Sequence, residues 1–261
     1  MALHVRGIPL MSRRRQIYME GMIVSMLRIE NLTKTFGEKR AVDGLTLGIS
    51  PGEICGFIGH NGAGKTTTIK AVCGLIQFDS GEIYIDGISV KENPIACKSM
   101  IAYIPDNPDL YEFLSGIKYL NFISDVYGIP SELRQERIRK YADMFELTGD
   151  LAQPVSAYSH GMKQKLAIIS ALIHAPRLMV LDEPFVGLDP KASRDLKMLM
   201  RGICDEGGAI FFSTHVLEVA ERLCDKIAVI KSGKLIAYGD MDEVKGDESL
   251  ESVFFELEDE A

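Results

Sequence analysis

A glycine-rich stretch, GHNGAGKTTT, starts at Gly59 and carries residue types that bind phosphate. It completes the pattern GxxxxGK[ST], and an apolar segment, EICGFI, comes directly before it. Glycines let backbone N–H groups approach phosphate oxygens closely, and the start of a following helix adds unpaired N–H groups. The lysine supplies charge for the β- and γ-phosphates, and the next hydroxyl is a ligand for Mg²⁺. The sequence therefore predicts a nucleoside triphosphate site at Gly59, His60, Asn61, Gly62, Ala63, Gly64, Lys65, Thr66 and Thr67.

Two adjacent acids, Asp182 and Glu183, follow the apolar run LMVL. A buried strand that ends there would deliver both carboxylates to one edge of a sheet. We interpret Asp182 as part of the magnesium shell and Glu183 as the group that orients or deprotonates the attacking water. Solvated loop acids would have the same sequence, but the phosphate loop in the same chain favours a nucleoside triphosphatase.

A second segment with phosphate-binding chemistry is YSHGMKQK, which runs straight into the apolar helical stripe LAIISALI. Ser159 can cap the helix, whose first N–H groups are then free to meet a phosphate. A plain serine cap on a core helix is the simpler alternative, and this segment alone leaves it open.

The order of motifs resembles the ATP-binding cassette (ABC) family of transporter ATPase subunits. After the phosphate loop come YSHGM, LMVLDEP, GLDP and STH, and the similarity spans roughly residues 27–239. The resemblance implies an α/β fold, with a P-loop NTPase core, an N-terminal antiparallel β subdomain and an inserted helical subdomain. It also implies ATP and Mg²⁺ as cofactors.

The resemblance assigns roles to single residues. Ser159 and Gly161 are retained from the family's LSGGQ signature, which closes over ATP bound to the opposite subunit. This role would explain why the chain carries a second segment of phosphate-binding type. Asp189 matches the D-loop that links the two sites across the subunit boundary. His215 matches the switch histidine, which contacts the γ-phosphate and steadies the water, so the catalytic set is Glu183, His215 and Lys65.

Three positions need separate comment. His160 adds a side chain where the signature usually has glycine, and Asp106 stands where the family has a glutamine. Aspartate can ligate Mg²⁺, which gives a metal set of Thr66, Asp182 and Asp106, but its charge opposes the γ-phosphate more than glutamine does. Phe36 occupies the position of the residue that stacks on adenine, although an isolated phenylalanine is more often a core residue.

The charge is unevenly distributed along the chain. Of the net charge of −8, residues 240–261 contribute −9, with ten acids and one lysine, and the rest is close to neutral. This charge distribution lacks the excess of basic residues that is typical of nucleic-acid-binding proteins. The five cysteines are scattered without a CxxC pair, which is typical of reduced, packed thiols in a cytosolic chain.

We expect three segments. Residues 1–25 form a disordered extension or follow an upstream start codon, with a basic membrane-binding arm as the alternative. Residues 26–240 form the ATPase domain, with a helical subdomain at about residues 108–173. Residues 241–261 form an acidic tail, solvated and partly helical, because SLESVFFEL spaces its apolar residues as a helix does.

These observations predict the ATPase subunit of a membrane transporter, cytoplasmic and peripheral on the inner face of the cell membrane. No apolar run approaches the ~20 residues of a membrane span, so a separate transmembrane permease is expected, touching residues 109–127. A second ABC ATPase subunit, most simply another copy, would complete a dimer. The closing SLESVFFEL resembles subunits of exporters. The alternatives are a soluble ABC-type ATPase and a regulatory ATP-binding module.

Overall fold

The computed structural model describes residues 25–260. The prediction for residues 1–25 therefore lies outside the described residues, apart from Ser25. Within the described part of the chain, strands gather into two sheets, and helices lie between and after them. The α/β fold expected from the sequence is confirmed.

The larger sheet has six strands in the order β10-β9-β3-β8-β7-β6. They are β3 (Ile54–Ile58), β6 (Ile101–Ile104), β7 (Leu178–Asp182), β8 (Ala209–Thr214), β9 (Lys226–Lys231) and β10 (Lys234–Asp240). Neighbours from β9 to β6 are parallel, and β10 pairs with β9 as an antiparallel hairpin. Strands β3, β7 and β8 are buried along their whole length, which is why their sequences are continuous apolar runs.

The smaller sheet is antiparallel and has the order β2-β1-β4-β5. Its strands are β1 (Leu27–Phe36), β2 (Lys39–Ile49), β4 (Ser80–Ile85) and β5 (Ile88–Ser89). Its buried side chains share one hydrophobic cluster with one face of the larger sheet, where Phe57 and Phe211 pack. The alternating segment LRIENLTKTFG and the short segment EIYIDG predict β1 and β4, whereas LTLGI predicts only the last five residues of β2 and no segment predicts β5.

Most helices cover the other face of the larger sheet and share a second hydrophobic cluster with it, whereas the first two pack in the first cluster through residues such as Ile69 and Cys97. In chain order the helices are α1 (Lys65–Val72), α2 (Pro94–Met100), α3 (Gly116–Val126), α4 (Ser131–Met144), α5 (His160–Leu172), α6 (Pro190–Asp205), α7 (Leu217–Leu223), α8 (Met241–Lys245) and α9 (Leu250–Glu260). Helices α3 to α5 lie between β6 and β7, which confirms the mainly helical stretch predicted there. The short elements α2 and β6 were not predicted. Within residues 25–260, no helix combines the length and hydrophobicity needed to cross a membrane.

The C-terminal segment corrects one prediction. Its helix α9 is confirmed, and Glu251 and Glu256 are exposed as a solvated end requires. Leu250 and Phe254, however, are 0% and 5% exposed and belong to the second hydrophobic cluster. The expectation of a solvated end is therefore wrong for this side of the helix, because an apolar stripe gains free energy when it is buried.

Candidate functional site

The phosphate loop joins the buried end of β3 to α1. Gly64 precedes the helix with φ 117°, a conformation that side-chain-bearing residues rarely adopt. A Cβ built on Gly64 would lie 2.5 Å from the carbonyl oxygen of Ala41, so the backbone also passes too close for any other residue. The second glycine of the GxxxxGK pattern is therefore required by both backbone angle and packing.

Lys65 lies folded against this loop. Its side chain is almost buried, and its Nζ donates to the carbonyl oxygens of Gly59 at 2.5 Å and His60 at 3.2 Å. Burial lowers the pKa of Lys65, whereas the nearby carboxylates of Glu183 and Asp182 act to raise it. The two acids thus offset part of the cost of burying the ammonium group.

A hydroxyl and a carboxylate meet where the start of α1 approaches the end of β7. Thr66 Oγ1 donates to Asp182 Oδ2 at 2.8 Å, and Ser213 Oγ donates to Asp182 Oδ1 at 2.5 Å. Asp182 is 4% exposed, and both its oxygens are held in place by these bonds. A hydroxyl beside a carboxylate fits Mg²⁺, which prefers oxygen ligands and retains several waters. Sequence reasoning missed Ser213, although it stands two residues before the switch histidine in STH.

Glu183 and His215 are in direct contact. His215 Nδ1 lies 3.0 Å from Glu183 Oε1, and the histidine is the more exposed of the two side chains. The backbone of Glu183 has φ 49°, and its N–H contacts both the carbonyl oxygen and Oγ of Ser213 at 3.2 Å. Left-handed backbone at a non-glycine residue costs about 1–3 kcal/mol and recurs at functional sites. The carboxylate of Glu183 and the imidazole of His215 can therefore both form hydrogen bonds to one water molecule.

A cavity of about 320 Å³ collects most of the predicted site residues. The predicted residues that line it are Phe36, Asn61, Gly62, Gly64, Lys65, Thr66, Thr67, Asp106, Asp182 and Glu183. Phe36 is 53% exposed, so it is not a core residue, and Lys34 Nζ lies 4.9 Å from its ring centroid. We call this group of residues the P-loop face.

The signature residues lie at the start of α5. Ser159 caps the helix, with its Oγ accepting the Met162 N–H at 3.3 Å. Asp189 caps α6 in the same way, accepting the Ala192 N–H at 2.8 Å, and it also meets Lys165 Nζ at 2.7 Å. The hydrogen bond from Lys165 is the main reason that the pKa of Asp189 is lowered. We call Ser159, His160, Gly161 and Asp189 the signature face.

The imidazole of His160 packs over Gly187 in the GLDP segment. A Cβ built on Gly187 would lie 2.5 Å from His160 Cδ2, so this contact requires a glycine. A Cβ built on Gly161 would lie 2.8 Å from the Gly187 carbonyl oxygen. The extra side chain at His160 is thus accommodated against the same chain's own D-loop segment.

The structure does not bring the two faces together. Ser159, Gly161 and Asp189 do not line the 320 Å³ cavity, and they do not line a neighbouring cavity of about 370 Å³ either. The neighbouring cavity is bordered instead by Gly59, His60 and His215. Ala63, the remaining residue of the phosphate loop, is packed in the hydrophobic cluster.

Comparison with known sequences gives consistent relatives. Residues 42–186 match the family profile described as ABC transporter. The chain is similar to the uncharacterized ABC transporter ATP-binding protein YhcH of Bacillus subtilis, at 36% identity over 90% of this chain and 76% of the relative. It is similar to the ABC-type transporter ATP-binding protein EcsA of the same organism, at 33% identity over 90% of this chain and 97% of the relative. The linearmycin resistance ATP-binding protein LnrL, also of B. subtilis, is 33% identical over 82% of this chain and 69% of its own length.

Solved structures agree with these relatives. The ATP-binding subunit of an ABC transporter superposes with a TM-score of 0.86 at 33% identity, covering 90% of this chain and all of the other. A dimeric bacterial ABC transporter cassette superposes with a TM-score of 0.76 at 25% identity, covering 83% of this chain and 99% of the other.

Proposed function

The chain belongs to the ABC transporter family of ATP-binding subunits, and we propose that two such cassettes close around two ATP molecules and hydrolyse them. The observation that carries this proposal is the separation of the two faces within one chain. Residues of phosphate-binding type that lie at the surface and do not line the chain's own cleft are suited to the cleft of a second subunit. The expected second subunit is another copy of this chain.

ATP and Mg²⁺ binding would use residues that already line one cavity. The loop backbone and Lys65 hold the β- and γ-phosphates, and Lys65 exchanges its present carbonyl contacts for phosphate oxygens. Thr66 and Asp182 would hold Mg²⁺, with Asp106 at the same cleft, and the ion supplies positive charge for the phosphate oxygens. Phe36 offers its exposed ring to the adenine base.

Hydrolysis depends on Glu183. Its carboxylate orients or deprotonates the attacking water, because no other acid in the P-loop face is both next to Asp182 and in contact with His215. His215 fixes the carboxylate from one side and offers its other ring nitrogen to the γ-phosphate. ATP favours the closed pair and hydrolysis removes that preference, which is a switch between two states.

The membrane partner would be a separate permease that meets residues 109–127. Tyr111, Phe113 and Phe122 are exposed there to 49%, 81% and 41%, and the ring of Tyr111 contacts the other two. This partner would hold the subunit at the inner face of the cell membrane, in the cytoplasm. Transport out of the cell is favoured by the names of two relatives, a linearmycin resistance protein and a probable multidrug transporter protein of Escherichia coli.

The test is the solution mass of the Glu183→Gln protein, measured by light scattering after size exclusion, with and without ATP and Mg²⁺. This variant should bind ATP without consuming it, so the closed pair accumulates and the mass doubles. The matched control is the double variant Glu183→Gln/Ser159→Arg, which should bind ATP and stay monomeric. A Glu183→Gln protein that binds ATP but keeps the monomer mass would refute pairing between identical chains.

A further inference from the structure

The C-terminal helix α9 packs against α7, the helix that follows the switch histidine. Leu250 and Phe254 of α9 are buried in the same hydrophobic cluster as Ala220 of α7. Leu257 packs against this cluster from the next turn of α9. The buried stripe therefore fixes α9 along a helix that begins two residues after His215.

Polar contacts hold the start of α9 to the same helix. Glu221 of α7 accepts the Lys245 ammonium at 2.9 Å through Oε1 and the Leu250 N–H at 3.3 Å through Oε2. The hydrogen bond from Lys245 is the main reason that the pKa of Glu221 is lowered. A single carboxylate thus joins the end of α8 and the beginning of α9 to α7.

Phe254 also reaches the phosphate loop. Its ring meets the imidazole of His60 edge to face, with centroids 5.3 Å apart and planes at 71°. The carbonyl oxygen of His60 accepts a hydrogen bond from Lys65 Nζ at 3.2 Å. Only His60 therefore separates Phe254 from the lysine that we assign to the β- and γ-phosphates.

The switch histidine borders the same space. Gly59, His60, His215 and Phe254 all line the cavity of about 370 Å³ beside the P-loop face. One side of α9 thus contacts the phosphate loop at His60 and faces the loop that carries His215 across this cavity.

We propose that Phe254 is a positioning residue for hydrolysis: its ring holds His60, and α9 holds α7, so that Lys65 and His215 keep the geometry needed for turnover. The inference rests on the proposed function and extends it to a helix outside the residues that match the family profile. A residue that does not touch the substrate can still affect turnover by positioning others, because a displacement of ~1 Å at a reacting group costs roughly 100-fold in rate.

The first experiment compares ATP hydrolysis by the wild type, Phe254→Ala and Glu256→Ala. Glu256 is the matched control, since it lies on the same helix but is exposed and does not line the cavity shared by His60 and His215. We expect kcat of Phe254→Ala to fall about tenfold, an effect of positioning. Its KM for ATP should change less than about threefold, because Phe254 does not line the cavity of the P-loop face. Glu256→Ala should keep the wild-type kcat.

Loss of a buried ring also destabilises a protein, so folding must be separated from positioning. Phe254→Leu keeps an apolar side chain in the stripe but removes the ring edge that meets His60. All variants are assayed at least 15 °C below their thermal midpoints, where each is folded. We expect Phe254→Leu to keep the wild-type fold and to lose a large part of the kcat; a wild-type kcat in folded Phe254→Leu would refute the inference.

A double-mutant cycle tests the route through His60. If Phe254 acts by holding that side chain, Phe254→Ala should have little further effect on kcat in a His60→Ala background. Effects that multiply would refute the coupling. An active wild type with an unaffected Phe254→Ala variant refutes this inference alone, whereas a wild type that binds ATP and never hydrolyses it refutes the proposed function as well.

Discussion

The P-loop face and the signature face carry similar chemistry but differ in how the chain supports them. In the P-loop face, Lys65 and Asp182 are buried, and Asp182 is bonded to hydroxyls from α1 and β8. In the signature face, Ser159 and His160 are exposed, and Ser159 is held by a cap within its own helix turn. Charged groups are held in the interior only when they are paired, so the P-loop face is organised before any ligand arrives. The signature face offers helix N–H groups outward, as a surface for a partner's ligand requires.

The largest effect is expected from a change in the P-loop face that removes activation of the attacking water. Glu183→Gln removes the carboxylate that we propose as the general base but keeps the shape of the side chain, so kcat should fall about 10²- to 10⁴-fold while ATP still binds. Steady-state hydrolysis and nucleotide titration measure the two quantities. Glu206→Gln, an exposed glutamate at the end of α6, is the control. Near-normal hydrolysis by Glu183→Gln would remove Glu183 from its assigned role.

A break in the signature face should separate turnover from binding. Ser159→Arg places a bulky cation at the start of α5, so the pair of cassettes cannot close and kcat should fall at least about 100-fold. The monomer should bind ATP with wild-type affinity, because Ser159 does not line the P-loop cavity. The control is Ser131→Arg, the same change at the exposed start of α4. Weaker ATP binding by monomeric Ser159→Arg would contradict the distinction between the two faces.

A smaller effect on ATP affinity is expected from the residue that we propose to stack on adenine. Phe36→Ala removes the exposed ring at the edge of the P-loop face, and stacking on a base contributes about 1–3 kcal/mol. We expect ATP affinity to fall roughly 5- to 150-fold by fluorescence titration, and Phe36→Tyr to keep it. Unchanged affinity in Phe36→Ala would show that the ring does not stack on the base.

The smallest expected effect is a change in the pH dependence of stability. It concerns His174, which follows α5, the helix that begins at the signature face. His174 stacks on Tyr127 with centroids 3.8 Å apart, and its Nε2 lies 3.1 Å from the Ile101 carbonyl oxygen. Burial lowers the pKa of His174 below its unfolded value of about 6.5, and the positive charge of Arg137 also lowers it. The folded state therefore prefers neutral His174, and this stability is present above pH ~6.5 and lost as the pH falls through the folded pKa.

Chemical unfolding between pH 8 and pH 5 measures that contribution. The free energy of unfolding should decline less steeply with falling pH in His174→Gln than in the wild type. Equal slopes would assign the acid sensitivity to other groups.

Much of the P-loop face could be read from the sequence because its information is local. The phosphate loop is one continuous segment between an apolar strand and a helix, and Asp182 and Glu183 directly follow another apolar strand. The roles of these residues remain predictions, but the cavity brings most of them together. Ser213 was missed because a serine at the end of a strand carries no signal until the neighbouring strand is known.

Short elements were harder to predict for the same reason. Strand β6 has four residues and β5 has two, which is too few for a period to be recognised. Strand β2 starts with exposed polar residues, so only its alternating apolar end was identified. These elements are held by their neighbours in the sheets rather than by their own residues.

The phosphate loop and the order of the motifs are properties of contiguous residues, and the family resemblance that they carry predicts the fold class. Which distant groups meet depends instead on how the strands and helices pack in three dimensions. Thr66 and Asp182 are 116 residues apart in the chain, and Asp182 and Ser213 are 31 apart. The same holds for the C-terminal helix: its apolar stripe predicts that one side must be buried, but the burial of apolar surface is not directional, so the stripe could not indicate that it packs on α7 and His60.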